Sequence, residues 1–258
     1  MSAGVVALLT DFGLSDSYVG ELHATLWRRA PSLRGVVDLC HAIPPQAVRV
    51  GSFAWQRAWR SCGEGTVLVG VVDPGVGGER LVLAASVDGR WLVAPDNGLA
   101  APILAAATAP TVVAADLARV VGEPASATFH GRDVFAPVAA LLVEGAALGE
   151  LGEPIGDWRT MEPPRVAFPS ARAAEAEILW IDRFGNVITA LAAEAGARWS
   201  VDLSPLRARS VERYSQAEPG EAVALVGSAG FWELAVEGGH AAEEFGLDVG
   251  ASLRFVRE

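Results

Sequence analysis

The sequence predicts an α/β protein with an N-terminal, mostly parallel α/β sheet domain and a smaller C-terminal β-barrel-like domain. Up to residue 160, apolar β-branched runs alternate with helical stretches rich in Ala and Leu, a pattern typical of a parallel sheet. From residue 172 onward, short strand-like runs are separated by glycine turns, with little helical pattern. Residues 161–171 are rich in proline and lack periodicity, so we interpret them as a linker between domains 1–160 and 172–258.

Each element of the first domain follows from a local pattern. Short apolar runs predict strands, and longer Ala/Leu stretches with polar starts predict helices. In chain order we predict a strand at 4–10, a helix at 17–30, a strand at 34–40, a helix at 44–62 opened by proline, a strand at 65–73, a hairpin of 80–87 with 90–95, and a late helix at 132–145. In the second domain, strands are predicted within 174–191, 221–238 and 251–258.

Composition narrows the possible partners. The 258-residue chain carries a formal charge of −11, which argues against nucleic acid or an anionic membrane and favours a small or cationic ligand. No apolar run has the length of a membrane span, and the N-terminus has no basic leader. We therefore expect a protein of the cytosol.

Polar residues collect where apolar runs end. Four runs finish on an aspartate followed by a glycine turn, at Asp11, Asp73, Asp96 and Asp182, and a fifth polar cluster is TFHGRD at residues 128–133. In open parallel sheets, ligands bind beyond the carboxyl ends of the strands, where loops converge. The repetition predicts a cleft lined by these clusters.

Four classes of chemistry can be compared for that cleft. A phosphate cradle of the P-loop type is excluded, because the chain contains no lysine and DPGVGGER has the wrong glycine spacing. A metal hydrolase is disfavoured, because the four histidines are scattered and no HExxH occurs. A serine nucleophile has no GxSxG elbow. In the remaining class, an Asp, an Arg and a His orient one water, which requires no metal and no nucleophilic side chain. Asp73, Arg80 and His130 are the candidates for this role.

Seven stretches taken together resemble one known family. In chain order they are LLTDFGLSDSYVG, IPPQ, DPGVGGER, PDNG, FHGRDVFAP, IDRFGN and GSAGFWELAVEGG, from residue 8 to residue 239. They resemble the S-adenosylmethionine (SAM) hydroxide adenosyltransferases, or SAM hydrolases, relatives of the SAM-dependent fluorinase and chlorinase. The resemblance implies metal-free attack of a water-derived hydroxide on the ribose C5′ of SAM, giving adenosine and L-methionine without a cofactor. It also implies a homotrimer whose active sites lie between one subunit's N-terminal domain and a neighbour's C-terminal domain.

The resemblance implies roles for ten positions of this chain. The water-orienting set consists of Asp73, Arg80 and His130. The substrate-binding positions are Asp11 for the ribose hydroxyls, Asp16 and Asp182 near the methionine ammonium, Phe184 and Asn186 in the adenine pocket, Ser228 at the methionine carboxylate, and Gly238 where a backbone group meets adenine. No metal ligand is implied. Supporting roles are expected for His41 in the loop before Pro44, for Asp96 and Asn97 beside the site, and for Arg132 and Asp133 in the HGRD turn, while Glu233 is either a methionine contact or an ordinary strand residue.

Three other functions remain in view. The halogenating relatives lack the Asp–Arg–His set and open a pocket for a halide, which a carboxylate at Asp73 would repel. A non-catalytic sensor of SAM or adenosine would have no need of that set. A metal-dependent phosphoesterase would lose its activity in EDTA. Hydrolysis of SAM is the function that the sequence favours.

Overall fold

The computed structural model describes residues 4–258. The chain divides into two compact units, Met1–Met161 and Glu162–Glu258, and each unit has its own sheet and hydrophobic core. Within the described residues, no helix is both long and apolar enough to cross a lipid bilayer.

The first unit alternates strands and helices through most of its length. Its elements are β1 Val5–Thr10, α1 Tyr18–Arg29, β2 Gly35–Cys40, α2 Val48–Trp59, β3 Thr66–Val71, β4 Val82–Val87, β5 Arg90–Pro95, α3 Ala101–Ala106, β6 Thr111–Ala115, α4 Leu117–Val120, a π-helical turn Gly131–Phe135, α5 Ala136–Val143, α6 Leu148–Leu151 and β7 Gly152–Pro154.

The strands of the first unit form one sheet in the order β2-β1-β3-β5-β4-β6-β7. The pairs among β2, β1, β3 and β5 are parallel, and the pairs among β5, β4, β6 and β7 are antiparallel. The α/β prediction is confirmed, with parallel pairing confined to one half of the sheet. The predicted hairpin is β4–β5, and its turn residues Asp88 and Gly89 have φ of 45° and 75°, as a type I′ turn requires.

The core of this unit explains the apolar runs of the sequence. All six residues of β3 are buried, because helices cover both faces of a parallel sheet. Leu22 and Leu26 of α1 belong to the same buried cluster as Val6 of β1 and Val138 of α5. Full burial of a leucine side chain contributes about 1.5–3 kcal/mol, so this cluster holds the helices on the sheet.

Two helices differ from their prediction. Proline does not open α2, because Gln46 has φ of 63°, a left-handed conformation that no α-helix contains, and the helix begins only at Val48. The helix predicted at 132–145 divides into the π-helical turn and α5. Pro137 lies in the first turn of α5, and since proline has no N–H to donate, the regular hydrogen-bond ladder cannot run through it.

The second unit consists almost entirely of strands. Its elements are β8 Val166–Ser170, β9 Ala173–Ile181, β10 Val187–Ala192, β11 Trp199–Leu203, β12 Leu206–Ser210, a 3₁₀ turn Tyr214–Gln216, β13 Ala222–Val226, β14 Phe231–Val236, α7 Ala241–Phe245 and β15 Ser252–Arg257.

Seven of these strands close into a barrel. The order is β10-β14-β13-β12-β11-β15-β9, and β9 pairs back with β10, which confirms the barrel-like prediction. Trp199, Trp232 and Phe255 are buried in its core. Strand β8 pairs outside the barrel with β9 and is exposed along its whole length. Part of the proline-rich segment 161–171 is therefore a strand of the second unit, where the sequence indicates only a linker.

Candidate active site

Two predicted site residues follow neighbouring parallel strands of the first unit. Thr10, the last residue of β1, pairs in register with Val71, the last residue of β3. Asp11 comes directly after β1, and Asp73 comes two residues after β3. Their carboxylates are therefore carried to the same edge of the sheet, at the carboxyl ends of the strands where α/β proteins bind ligands.

The loop 73–80 folds back on itself through two tight turns. The N–H of Val76 donates to the carbonyl of Asp73 over 3.2 Å, and the N–H of Gly78 donates to the carbonyl of Gly75 over 3.0 Å. Gly77 has φ of 76°, and a Cβ at this position would lie 2.5 Å from the carbonyl oxygen of Ala127. Glycine is therefore required there by both conformation and space.

The fold-back brings Arg80 onto Asp73. Arg80 Nε and Nη2 donate to Asp73 Oδ2 over 2.9 and 2.5 Å, and the two side chains are only 7% and 4% exposed. The guanidinium also stacks over the ring of Phe135, 5.3 Å from its centroid. Asp73 Oδ1 is buried and accepts no hydrogen bond from the described residues, so one oxygen of this carboxylate keeps both lone pairs.

His130 completes this group from the start of the π-helical turn. Arg80 Nη2 lies 2.9 Å from His130 Nδ1. Because an arginine only donates, Nδ1 must accept, and a neutral imidazole then carries its proton on Nε2. Burial and the positive charge of Arg80 both lower the pKa of His130. The contact with Arg80 and the lowered pKa both indicate that the imidazole of His130 is uncharged at neutral pH.

These groups lie at a small cavity of about 70 Å³. Its polar lining comes from Asp11, Asp73, Thr128 and His130, and its apolar lining includes Phe12, Val71, Val76 and Phe129. Asp11 Oδ2 accepts the N–H of Gln46 over 2.8 Å, which fixes one oxygen of that carboxylate. The cavity thus joins a neutral imidazole, an ion pair and a second carboxylate against an apolar wall.

Asp16 is placed differently from the other residues predicted in this unit. It is exposed in the loop between β1 and α1 and does not line the cavity. The proposed contact between Asp16 and the methionine ammonium therefore has no geometric support within this unit.

Side chains around the cavity brace its walls. Asn97 Nδ2 donates to the carbonyl of Val72, next to Asp73, over 2.8 Å. Asp96 accepts the N–H of Arg159 over 2.8 Å. Arg132 donates to both oxygens of Asp133 over 2.7 and 2.8 Å, and this ion pair lies in the turn that follows His130.

The remaining predicted residues lie in loops of the second unit. Asp182 Oδ1 accepts the N–H groups of Phe184 and Asn186, each over 2.9 Å, and Oδ2 accepts Asn186 Nδ2 over 3.0 Å. Asp182 therefore organises the loop that carries the other two. The Phe184 side chain is 75% exposed, as an aromatic residue that stacks on a ligand needs to be.

Ser228 and Gly238 occupy two other turns of this unit. Ser228 is exposed in the turn between β13 and β14, and Gly238 follows β14 with φ of 70°. Glu233, by contrast, is buried in β14 and accepts a hydrogen bond from the Tyr214 hydroxyl.

Several residues at the cavity escaped the sequence analysis. Phe12 and Phe129 form edge-to-face pairs with each other and with Tyr18, with ring centroids 5.0–6.0 Å apart. Gln46 contributes its backbone N–H, and a backbone contact cannot be predicted from the type of side chain. The sequence could have indicated both phenylalanines, because each is adjacent to a predicted polar site residue. Among the described residues, no group of three or more His, Cys, Asp or Glu side chains could hold a metal ion.

This fold and cavity define a class of protein with an α/β unit, which carries an Asp–Arg–His group in loops beyond the strand ends, followed by a closed β-barrel unit. Residues 6–152 match the sequence profile of the SAM hydroxide adenosyltransferase N-terminal domain, and residues 176–254 match the profile of the C-terminal domain. The chain belongs to the SAM hydroxide adenosyltransferase family.

Individual relatives agree with this assignment. The (R)-S-adenosyl-L-methionine hydrolase of Thermus thermophilus is 40% identical over 97% of this chain and 99% of its own length. An uncharacterized conserved protein of Thermotoga maritima has a crystal structure that matches 98% of this chain and 100% of its own, with 28% identity and a TM-score of 0.89. The fluorinase of Actinopolyspora mzabensis is a more distant relative, 24% identical over 99% of this chain and 98% of its own length.

Proposed function

We propose that the protein hydrolyses SAM to adenosine and L-methionine, by in-line attack of a water-derived hydroxide on the ribose C5′. The observation that carries this proposal is the contact of Arg80 with both Asp73 and His130 at one cavity. Relatives about 40% identical to this chain are SAM hydrolases by name, which supports the same substrate and reaction.

The geometry suggests how a water is prepared for attack. Asp73 Oδ1, which accepts no hydrogen bond from the part of the chain that the structure describes, accepts the proton of the water. The Nε2–H of His130 donates to the water oxygen and orients it. Arg80 holds these two groups at fixed positions, and its positive charge stabilises the hydroxide as it develops. The sulfonium needs no acid, because it leaves as a neutral thioether.

Substrate contacts follow from the remaining residues. We assign Asp11 to the ribose hydroxyls, because it lines the cavity and its Oδ2 is fixed by the N–H of Gln46. The other assignments are Phe184 and Asn186 to adenine, Gly238 to adenine through its backbone, Ser228 to the methionine carboxylate, and Asp16 and Asp182 to the methionine ammonium. Asp182 has the additional task of holding Phe184 and Asn186 in place.

We also propose the assembly that the family resemblance implies, a homotrimer in which the cavity of one subunit is completed by the barrel unit of its neighbour. The high exposure of Phe184 is compatible with this arrangement. Sedimentation of the purified protein tests it, since a monomer would contradict the proposal. A location in the cytosol rests on the sequence alone and stays a prediction.

The decisive experiment is incubation of the purified protein with SAM in H₂¹⁸O. We expect adenosine and methionine in equal amounts, with ¹⁸O in the 5′-hydroxyl of adenosine. Unlabelled adenosine would contradict attack by water, and binding without turnover would indicate a sensor. Chloride or fluoride added to the reaction should yield no 5′-halogenated nucleoside, because Asp73 would repel a halide.

We propose in addition that the reaction needs no metal. Treatment with EDTA followed by gel filtration should leave the rate unchanged. Loss of activity that is restored by a divalent cation would favour the metal-dependent alternative.

A further inference from the structure

A second hydrogen-bonded group of side chains lies behind the turn that carries Asp11. Thr10 Oγ1 lies 2.8 Å from His41 Nδ1, and His41 Nε2 lies 3.0 Å from Asp38 Oδ1. Thr10 is fully buried, and the His41 side chain is only 2% exposed. Thr10 ends β1, Asp38 lies in the neighbouring parallel strand β2, and His41 directly follows β2, so the sheet itself brings them together.

The direction of each hydrogen bond in this group can be assigned. His41 Nε2 lies within ion-pair distance of Asp38 but makes no well-formed hydrogen bond among the described residues. Because a carboxylate only accepts, the proton of the imidazole lies on the Nε2 that faces Asp38, and Nδ1 accepts from the Thr10 hydroxyl. Burial opposes ionisation of Asp38, but the contacts with His41 and His23 outweigh it and lower the pKa of Asp38. Asp38 is thus charged at neutral pH and orients the His41 ring.

The group ends on the backbone of the turn. Thr10 Oγ1 accepts the N–H of Phe12 over 3.2 Å, and the carbonyl of His41 accepts the N–H of Gly13 over 2.7 Å. Asp11 lies between Thr10 and Phe12, and its own carboxylate receives the N–H of Gln46. Both sides of the Asp11 turn are therefore fixed by groups outside it.

A Thr–His–Asp arrangement also resembles a nucleophilic triad, but this reading fails on access. Thr10 is fully buried and its oxygen already accepts the N–H of Phe12. It does not line the cavity, whereas Asp11 and Phe12 do. A hydroxyl in that environment holds a neighbour in place and cannot reach a substrate.

We infer that Asp38, His41 and Thr10 act as positioning residues, forming a relay that holds Asp11 in the geometry in which it binds the ribose of the nucleoside. This inference rests on the proposed function, which assigns Asp11 to the ribose hydroxyls. The relay acts on binding: its loss releases the turn and weakens the affinity for SAM and adenosine, while the Asp73–Arg80–His130 group is untouched.

The test compares two conservative changes of one side chain. Thr10→Val removes the hydroxyl and keeps the shape, and Thr10→Ser keeps the hydroxyl. For Thr10→Val we expect the KM for SAM and the Kd for adenosine, measured by calorimetry, to rise about 5- to 20-fold, with kcat within about twofold, as the loss of one or two buried hydrogen bonds predicts. For Thr10→Ser all three constants should stay within about twofold of the wild type.

A second pair of variants guards against a folding defect in Thr10→Val. His41→Asn keeps an acceptor near the position of Nδ1 and should retain more affinity than His41→Leu, which removes it. His23→Asn is the matched control, because His23 contacts the same oxygen of Asp38 over 2.8 Å from helix α1, not from the turn, and asparagine keeps a donor for that oxygen, so KM should be unchanged. Thermal melting identifies any variant that does not fold.

The outcomes separate this inference from the proposed function. Equal KM and Kd for Thr10→Val and Thr10→Ser would overturn the relay. A fall confined to kcat would also overturn it, because it would place Thr10 in the chemistry. A wild-type protein that binds adenosine but does not hydrolyse SAM would overturn the proposed function alone, since the adenosine Kd still reports on the relay.

Discussion

Arg80 donates from Nη2 to Nδ1 of His130 over 2.9 Å, and this single contact determines what the imidazole can do. With Nδ1 occupied as an acceptor, the ring carries its proton on Nε2 and offers a donor. His130 is therefore better suited to orient a water than to deprotonate one, and we propose Asp73 as the group that accepts the proton.

The pH dependence of turnover should reflect this arrangement. Burial and the charge of Arg80 lower the pKa of His130, so the neutral ring persists below the ordinary histidine value of about 6.5. Protonation would remove the acceptor for Arg80, so kcat should be flat above neutrality and decline only as pH falls through the lowered pKa. A rate profile from pH 5 to 9 measures this. An acid limb at or above the ordinary value would contradict the lowered pKa of His130.

Asp73→Asn should affect turnover far more than affinity. The amide keeps an oxygen for Arg80 but cannot take a proton, and general-base catalysis is worth about 10²- to 10⁴-fold. We expect kcat to fall by at least about 100-fold with KM within about threefold. Glu79→Gln, at an exposed position of the same loop, is the control and should behave as the wild type. A variant that loses affinity and keeps kcat would mean that Asp73 binds substrate.

Asp11→Asn should show the opposite pattern. Because Asp11 is assigned to the ribose hydroxyls, replacing its charged acceptor by an amide should raise the KM for SAM about tenfold, near the cost of a hydrogen bond to a charged group of about 1.5 kcal/mol. Steady-state kinetics should show kcat reduced by less than about threefold. A larger fall in kcat would place Asp11 in the chemical step.

Gly77→Ala should damage both stability and activity. The left-handed φ costs an L-residue about 1–2 kcal/mol, and a Cβ would lie 2.5 Å from the Ala127 carbonyl oxygen. Urea unfolding should therefore show a loss of at least about 2 kcal/mol, together with reduced kcat as Arg80 moves from Asp73. Gly20→Ala, in α1 with open space around it, should instead stabilise the protein by about 0.5–1 kcal/mol. Equal changes in the free energy of unfolding for Gly77→Ala and Gly20→Ala would rule out the backbone conformation of Gly77 as the cause.

The sequence predicts well wherever the determining interactions are local. The β4–β5 hairpin follows from its Asp-Gly turn, the strands β1 and β3 from their apolar runs, and the return of Arg80 towards Asp73 from the glycines between them. Short or exposed strands leave a weaker pattern. The all-exposed β8 has no apolar alternation and reads as a linker.

Contacts between distant segments have no local signature. Thr10 and His41 are 31 residues apart, and Arg80 and His130 are 50 residues apart. The sequence marks these residues as candidates, but only the sheet order brings them together. The left-handed conformation of Gln46 also could not be predicted from the sequence, because its contribution to the site is a backbone N–H. The functional roles of the ten site residues stay predictions that the variants above test.

The hydrogen bonds of Arg80 have a consequence for product release. Asp73 and Arg80 cancel each other's charge and His130 is neutral, so this group is electroneutral, and Asp11 alone gives the cavity a net negative charge. A sulfonium cation is attracted to such a cavity. Hydrolysis turns that cation into an uncharged thioether, so the attraction disappears in the same step that breaks the bond. The reaction itself then weakens the electrostatic attraction between the cavity and its products.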